Sequence, residues 1–201
     1  MAVTPNYSWP IPVATDLVKD GYAAIADLGD AIDATVYGLT GSGLVLVSTT
    51  TIGTAATSVT VSSAFSATYD NYKIIVSGGV ASTDDNLYLQ LGASATGYYM
   101  ARNVAAFSGG AVTVNTSNNA SSFTVAGRVS TTVLNMNLDL QSPFLAKNTV
   151  VGGPVVNTVT GGQGGFTAGY HNSAVSYTAF TITPASGNMT GGTIRVYGYN
   201  N

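Results

Sequence analysis

The chain has 201 residues, 45% hydrophobic and only 7% charged; nine Asp against six Lys or Arg leave a net charge of −3, with no Glu and no Cys. Ordinary soluble domains are roughly a quarter charged, yet Val, Thr, Ile and 12 Tyr are plentiful here, a composition that excludes disorder and suits pleated, half-buried strands. The missing Cys excludes disulfides and thiolate metal sites. The lack of a basic patch argues against a nucleic-acid partner.

Residues 1–14 hold Pro5, Pro10 and Pro12. Proline lacks an amide donor and disfavours helix in the residue before it, so this segment is expected to be an extended arm. Tyr7, Trp9, Pro10 and Pro12 form its apolar part, an attachment strap that folds back on the chain's own β body or grips a neighbouring subunit. The N-terminus shows no basic region leading into an apolar core, so no signal peptide is expected. No run of about 18 apolar residues occurs anywhere, so no membrane insertion is expected.

Residues 15–39 read as one helix. Thr15 or Asp16 can cap it, and Asp16 and Asp20 stand near the positive end of its dipole. Asp16, Asp20, Asp27, Asp30 and Asp33 against Lys19 give the helix a charge of −4, and the remainder carries +1. Val18, Ile25, Ile32 and Leu39 recur every seven residues, with Gly21, Leu28 and Thr35 between them. This is a heptad seam with weak members. Val18, Ile25, Leu28, Ile32 and Leu39 are the expected oligomerisation residues of a bundle of about three helices; the alternative lays the same face on the β body. A helix this short must pack on something to be stable. Gly38, Gly41 and Gly43 are expected to end it.

From residue 40 to 201 the pattern is β. In 134–141, Leu134, Met136, Leu138 and Leu140 alternate with Asn135, Asn137, Asp139 and Gln141, and 86–91 alternates the same way. Further strands are expected at 44–50, 57–62, 72–77, 121–127, 165–170, 177–183 and 192–199. Gly/Asn/Ser clusters between them, including 78–85, 115–121, 161–165 and 185–192, read as turns. The resulting fold class is mainly β: an antiparallel β-sandwich, jelly-roll-like, preceded by the arm and one α-helix.

Candidates for chemistry are few. His171 is the only His, and a lone His at a strand end reads as a hydrogen-bonded rim residue. Asp84 and Asp85 sit in a Ser-Thr-Asp-Asp-Asn turn, where Asx side chains bond the local backbone; a calcium site there would need further oxygen ligands. Gly161-Gly162-Gln163-Gly164-Gly165 lacks the Lys-Ser/Thr of a phosphate loop and reads as a loop tip. Neither catalysis, a cofactor nor a metal is expected. One binding hypothesis comes from Tyr98, Tyr99, Tyr170, Tyr177, Tyr197 and Tyr199, which can stack on sugar rings if exposed, or pack at strand edges and subunit contacts. Along 194–199, Arg195, Tyr197 and Tyr199 should face one way and Ile194 and Val196 the other.

Two segments resemble a known family. Tyr7-Ser8-Trp9-Pro10-Ile11-Pro12, followed by Asp20-Gly21 and by Ala24-Ile25-x-x-Leu28-Gly29-x-Ala31-Ile32-Asp33, resembles a segment of bacteriophage tail fibres and minor tail proteins, over about 34 residues (6–39). Thr193-Ile194-Arg195-Val196-Tyr197-Gly198-Tyr199 is similar to the last strand of small phage virion domains. The resemblance implies a viral structural protein, made in the host cytoplasm and located in the virion. In such a protein the arm and helix attach or trimerise the subunit, and the β domain faces outward for receptor binding or subunit contact. Its partners would be itself as a homotrimer, other virion proteins and a host surface glycan. No long shaft follows the helix, so a short tail fibre stands beside a capsid decoration protein and, from another class, a polysaccharide-degrading tailspike.

Overall fold

A computed structural model describes residues 2–11, 18–40, 43–159 and 161–200. They divide into two compact units, Met1–Gly43 and Leu44–Asn201.

In the first unit the arm is a hairpin. Strands β1 (Ala2–Val3) and β2 (Pro10–Ile11) pair antiparallel, Ala2 with Ile11 and Val3 with Pro10. The Thr4 amide donates to the Trp9 carbonyl at 2.9 Å, the Trp9 amide donates to Thr4 Oγ1 at 3.0 Å, and the Tyr7 and Trp9 rings stack 5.2 Å apart. A 3₁₀ turn at Val18–Asp20 leads into helix α1 (Gly21–Thr40), which is rich in Ala, the best helix former. Trp9 Nε1 donates to Thr35 Oγ1 at 2.9 Å, while Thr35 Oγ1 donates back to the Ala31 carbonyl at 2.9 Å. The strap therefore docks on its own helix, a partner that neither sequence alternative named. The helix also runs past Gly38 to Thr40. The expected caps Thr15 and Asp16, the strap residue Pro12 and the side chain of Leu39 lie outside the described residues.

The second unit is mainly β and antiparallel. Its strands are β3 (Leu44–Thr51), β4 (Val59–Val61), β5 (Asn71–Ala81), β6 (Asp85–Leu91), β7 (Tyr98–Ala106), β8 (Thr113–Ala120), β9 (Phe123–Val129), β10 (Leu134–Gln141), β11 (Thr149–Asn157), β12 (Gln163–His171), β13 (Phe180–Pro184) and β14 (Met189–Tyr199). The expected strands are all present within a few residues. β7, β8 and β11 are additions, and most of the supposed turn at 115–121 belongs to β8. Only Gly161 and Gly162 of the glycine run lie at a turn; Gln163, Gly164 and Gly165 are laddered in β12.

The sheet branches at β10. One of its edges pairs with β5 from Leu134 to Gln141. On the other edge Leu134 and Asn135 pair with β9, and Asp139 to Gln141 pair with β11. Glycine permits the branch: a Cβ on Gly127 of β9 or on Gly153 of β11 would run into the β10 backbone carbonyls of Asn135 and Asn137. One wing continues from β9 through β6 and β13 to β4; the other runs from β11 through β12 and β7 to β8, and β5 leads to β14 and β3. The inner faces of the wings share one core, sandwich-like. Phe65 packs on Tyr72 of β5 and on Phe180 of β13, with ring centroids 4.9 and 5.7 Å apart, and Tyr98 of β7 meets Phe123 of β9 at 4.9 Å. Leu134, Met136, Leu138 and Leu140 are buried there, as their alternation requires. Ile194 and Val196 are buried and Arg195, Tyr197 and Tyr199 face outward, also as expected.

Candidate functional site

Period-two alternation divides the wing β14-β5-β10-β11-β12-β7-β8 into a buried face and an outer face. Register places the outer residues in rows across the strands. One row is Tyr197, Lys73, Asp139, Gly152, Ala168, Ala101 and Thr116. The next row towards one end is Asn71, Gln141, Val150, Tyr170 and Tyr99. Towards the other end lie Pro154, Phe166, Asn103 and Val114.

The row of small residues is the floor of a transverse trough. Ala101, Ala168 and Gly152 lie low, with Tyr99, Tyr170 and Val150 along one side and Phe166 and Val114 along the other. The flanking rows are four residues apart along each strand, about 13 Å. A depression of about 570 Å³ lies against the first wall, lined by Tyr99, Ala101, Thr116, Ser117, Asn148, Val150, Ala168 and Tyr170; another lies against Phe166 and Val114 and shares Ala101 and Ala168 with it. Tyr99 and Tyr170 stack at 4.8 Å with their planes 8° apart. Phe166 is 59% exposed and Tyr170 42%. The outward residues of β11, β12, β7 and β8 carry no charge. Farther along the face, Lys73 Nζ and Asp139 Oδ1 pair at 3.0 Å, and the Tyr199 hydroxyl donates to the same oxygen at 2.5 Å. Partial burial, together with that carboxylate, raises the Tyr199 hydroxyl to about 12.

The six tyrosines therefore separate. Tyr99 and Tyr170 stand together on the trough wall, and Tyr197 and Tyr199 lie on the same face at β14. Tyr98 and Tyr177 are buried and cannot meet a ligand from outside. His171 is not a rim residue either; it is fully buried between them. Its ring stacks on Tyr98 at 4.1 Å. Its Nδ1 lies 3.0 Å from the Gly97 carbonyl, which can only accept, so Nδ1 carries a proton; in the neutral ring Nε2 then accepts from the Tyr177 hydroxyl at 2.8 Å. Gly97, at φ +87°, admits this arrangement because a Cβ would strike the His171 ring and Asn172. The Tyr98 hydroxyl accepts from the Leu91 amide at 2.8 Å and donates to the Ser94 carbonyl at 3.1 Å; burial raises it to about 12. The Tyr98–His171 pair on the inner face lies next in register to Tyr99–Tyr170 on the outer face, so the buried network holds the strand ends that carry the trough wall.

The carboxylates of the 84–85 turn are taken by protein partners. Asp84 Oδ1 pairs with Arg128 Nη2 at 2.9 Å, Asp85 Oδ2 accepts from Ser186 Oγ at 2.7 Å, and Asp85 Oδ1 accepts from the Asn86 amide at 2.8 Å. Among the described residues no group of three or more His, Cys, Asp or Glu is placed to hold a metal ion. No described helix is long and apolar enough to cross a membrane.

Sequence reasoning missed the trough residues Ala101, Val114, Val150, Phe166 and Ala168. All but Phe166 and Ala168 lie on strands it did not expect. The available signal was the Val-rich run 149–157, which Pro154 masked: proline is confined to strand edges or bulges, and from Gly153 onward β11 is no longer laddered to β10. No protein-family model matches the chain, and no curated protein or solved structure is significantly similar to it.

Proposed function

We propose that this chain is a non-enzymatic structural protein of a bacteriophage virion, of the short tail fibre or minor tail protein kind. Its small unit attaches it to the particle and to further copies, forming a homotrimer, and its β unit presents the outer sheet face to a host or to neighbouring subunits. The observation that carries this reading is the face itself. Val114, Val150, Phe166 and Tyr170 are exposed on one uncharged surface of laddered strands, where a monomer in water gains nothing from displaying them. Such a surface is cheap to desolvate and suits contact. It offers no arrangement of acid, base and nucleophile like those that catalysis uses.

Locating the protein in the particle by cryo-electron microscopy tests the reading. Density at the tail supports it, density spread over the capsid lattice moves the protein to the decoration class, and absence from the particle refutes it. The stacked, partly exposed Tyr99 and Tyr170, with Thr116, Ser117 and Asn148 nearby, favour a host glycan as the occupant of the trough, because sugar rings combine an apolar face with hydroxyl edges. Ala168→Trp fills the floor. The purified protein should compete with phage adsorption, and this variant should not. Equal competition by the two removes the trough from the contact, and shortening of host polysaccharide by the protein would favour the tailspike reading.

A further inference from the structure

The helix carries three separate faces, and the structure changes which of them is free. At 100° per residue, Ala24, Leu28, Ala31 and Thr35 fall on one stripe; Ala24 is buried and the other three are half-buried, as are Gly21 and Ile32 outside it. β2 lies against the helix, and Trp9 is bonded to Thr35. Leu28, expected on the seam, therefore faces the arm side. Asp27 and Asp30 occupy a second, polar face, and the exposed Asp33 lies on its margin with the third. The third face holds Tyr22, Ile25, Gly29, Ile32 and Val36, spaced three, four, three and four residues apart, with Val18 in the preceding turn. Tyr22 is 81% exposed, Ile25 66% and Val36 50%.

We infer that Tyr22, Ile25, Gly29, Ile32 and Val36 form the surface on which further copies of this chain pack, parallel and in register. This rests on the proposed self-association and relocates its seam. The alternating three-four spacing is that of a coiled-coil seam, and it persists along the helix where the arm leaves it uncovered. Charge makes a second copy the fitting occupant. The stripe contains no ionisable group other than the Tyr22 hydroxyl; Asp27 points directly away from it, and Asp33 stands at its edge beside Gly29. In a parallel bundle the Asp33 edge of one helix faces the Leu28 flank of the next, so identical acidic helices meet there without setting carboxylate against carboxylate. Gly29 stands at the centre, and nothing lies within 4 Å of where its Cβ would be. Glycine inside a helix weakens it, and close approach of a neighbouring helix is the compensation available here. Copies related by an axis along the bundle run parallel, so each residue meets its own counterpart.

The absence of cysteine makes a direct test simple. In the full chain, Ile25→Cys and Ile32→Cys are compared with Asp27→Cys and Leu28→Cys under diamide oxidation, and mass is read by light scattering for the unmodified chain and for Ile25→Asp. The thermal transition of the β unit serves as the folding control. Expected results are covalent dimers from the 25 and 32 variants, little or none from the 27 variant and less from the 28 variant. The unmodified mass should be a multiple of 20.3 kDa that falls to that of one chain in Ile25→Asp. An unmodified monomer overturns self-association and the inference together. An oligomer that persists in Ile25→Asp, or that cross-links as readily through the 27 or 28 variant, overturns this stripe and leaves self-association standing.

Discussion

Tyr177→Phe removes one hydroxyl from a site where nothing else can replace it. In the folded chain that hydroxyl is 2.8 Å from His171 Nε2, and His171 is completely buried. Phenylalanine keeps the ring and its packing near Tyr98, so no large cavity opens. The change leaves one buried imidazole nitrogen without a partner. Removing one member of a buried hydrogen bond costs about 1–3 kcal/mol, the desolvation penalty of the group left behind. For a unit of this size each kcal/mol lowers the melting temperature by about 2–4 °C. The transition should therefore fall by about 2–12 °C, and the urea midpoint should shift with an unchanged slope. Calorimetry on the unmodified chain and on Tyr177→Phe reads the effect directly. A melting temperature unchanged within about 1 °C would refute the account, because His171 would then be satisfied by water or sit in a more open setting.

Other outcomes follow from the same geometry. Leu138→Ala, at a fully buried position of β10, should cost about 2–5 kcal/mol, whereas Tyr170→Ala on the outer face should cost under about 1 kcal/mol; equal losses in denaturant titration would contradict the division into inner and outer faces. The Tyr98 and Tyr199 hydroxyls are both raised to about 12, chiefly by desolvation. Unfolded tyrosine ionises near 10, so their stabilisation is complete below pH 10 and is lost as pH rises from about 10 through 12. For the buried Tyr98, a proton that leaves near 12 instead of 10 corresponds to about 3 kcal/mol. A urea midpoint that stays flat from pH 10 to 12 would contradict this. Trp9 is the only Trp, so Thr35→Val, which leaves its indole N–H unpaired, should shift the emission of the chain and loosen the small unit by about 1 kcal/mol. Unaltered emission would mean that the hairpin is not docked on the helix.

How far the fold was legible depended on contrast between the faces of each strand. β10 alternates Leu or Met with Asn, Asp or Gln, and β14 sets Ile194 and Val196 against Arg195 and Tyr197. One face of each is apolar and the other polar, so the period of two declares both the strand and its orientation. β7, β11 and much of β12 lack that contrast. Val150 faces outward and Val151 inward, and Ala or Gly fills many of the remaining positions, so alternation carries no signal and Pro154 argues against a strand. The tyrosines were ambiguous for the same reason: Tyr98 and Tyr99 are neighbours in sequence and therefore lie on opposite faces, and composition cannot say which is buried.

What the sequence determined by itself was local. It set one Ala-rich acidic helix behind a proline-bearing arm, and then a run of antiparallel strands with few charges, because helical and strand periods are properties of neighbouring residues. Only the tertiary structure decided which faces those elements use. The hairpin, by bonding Trp9 to Thr35, covers the Leu28 side of the helix and leaves Tyr22, Ile25 and Val36 exposed. The branch at β10 decides that Ala101, Gly152 and Ala168 form the floor of an open trough while His171 is enclosed. These choices depend on contacts between residues far apart in the chain, and no local period records them.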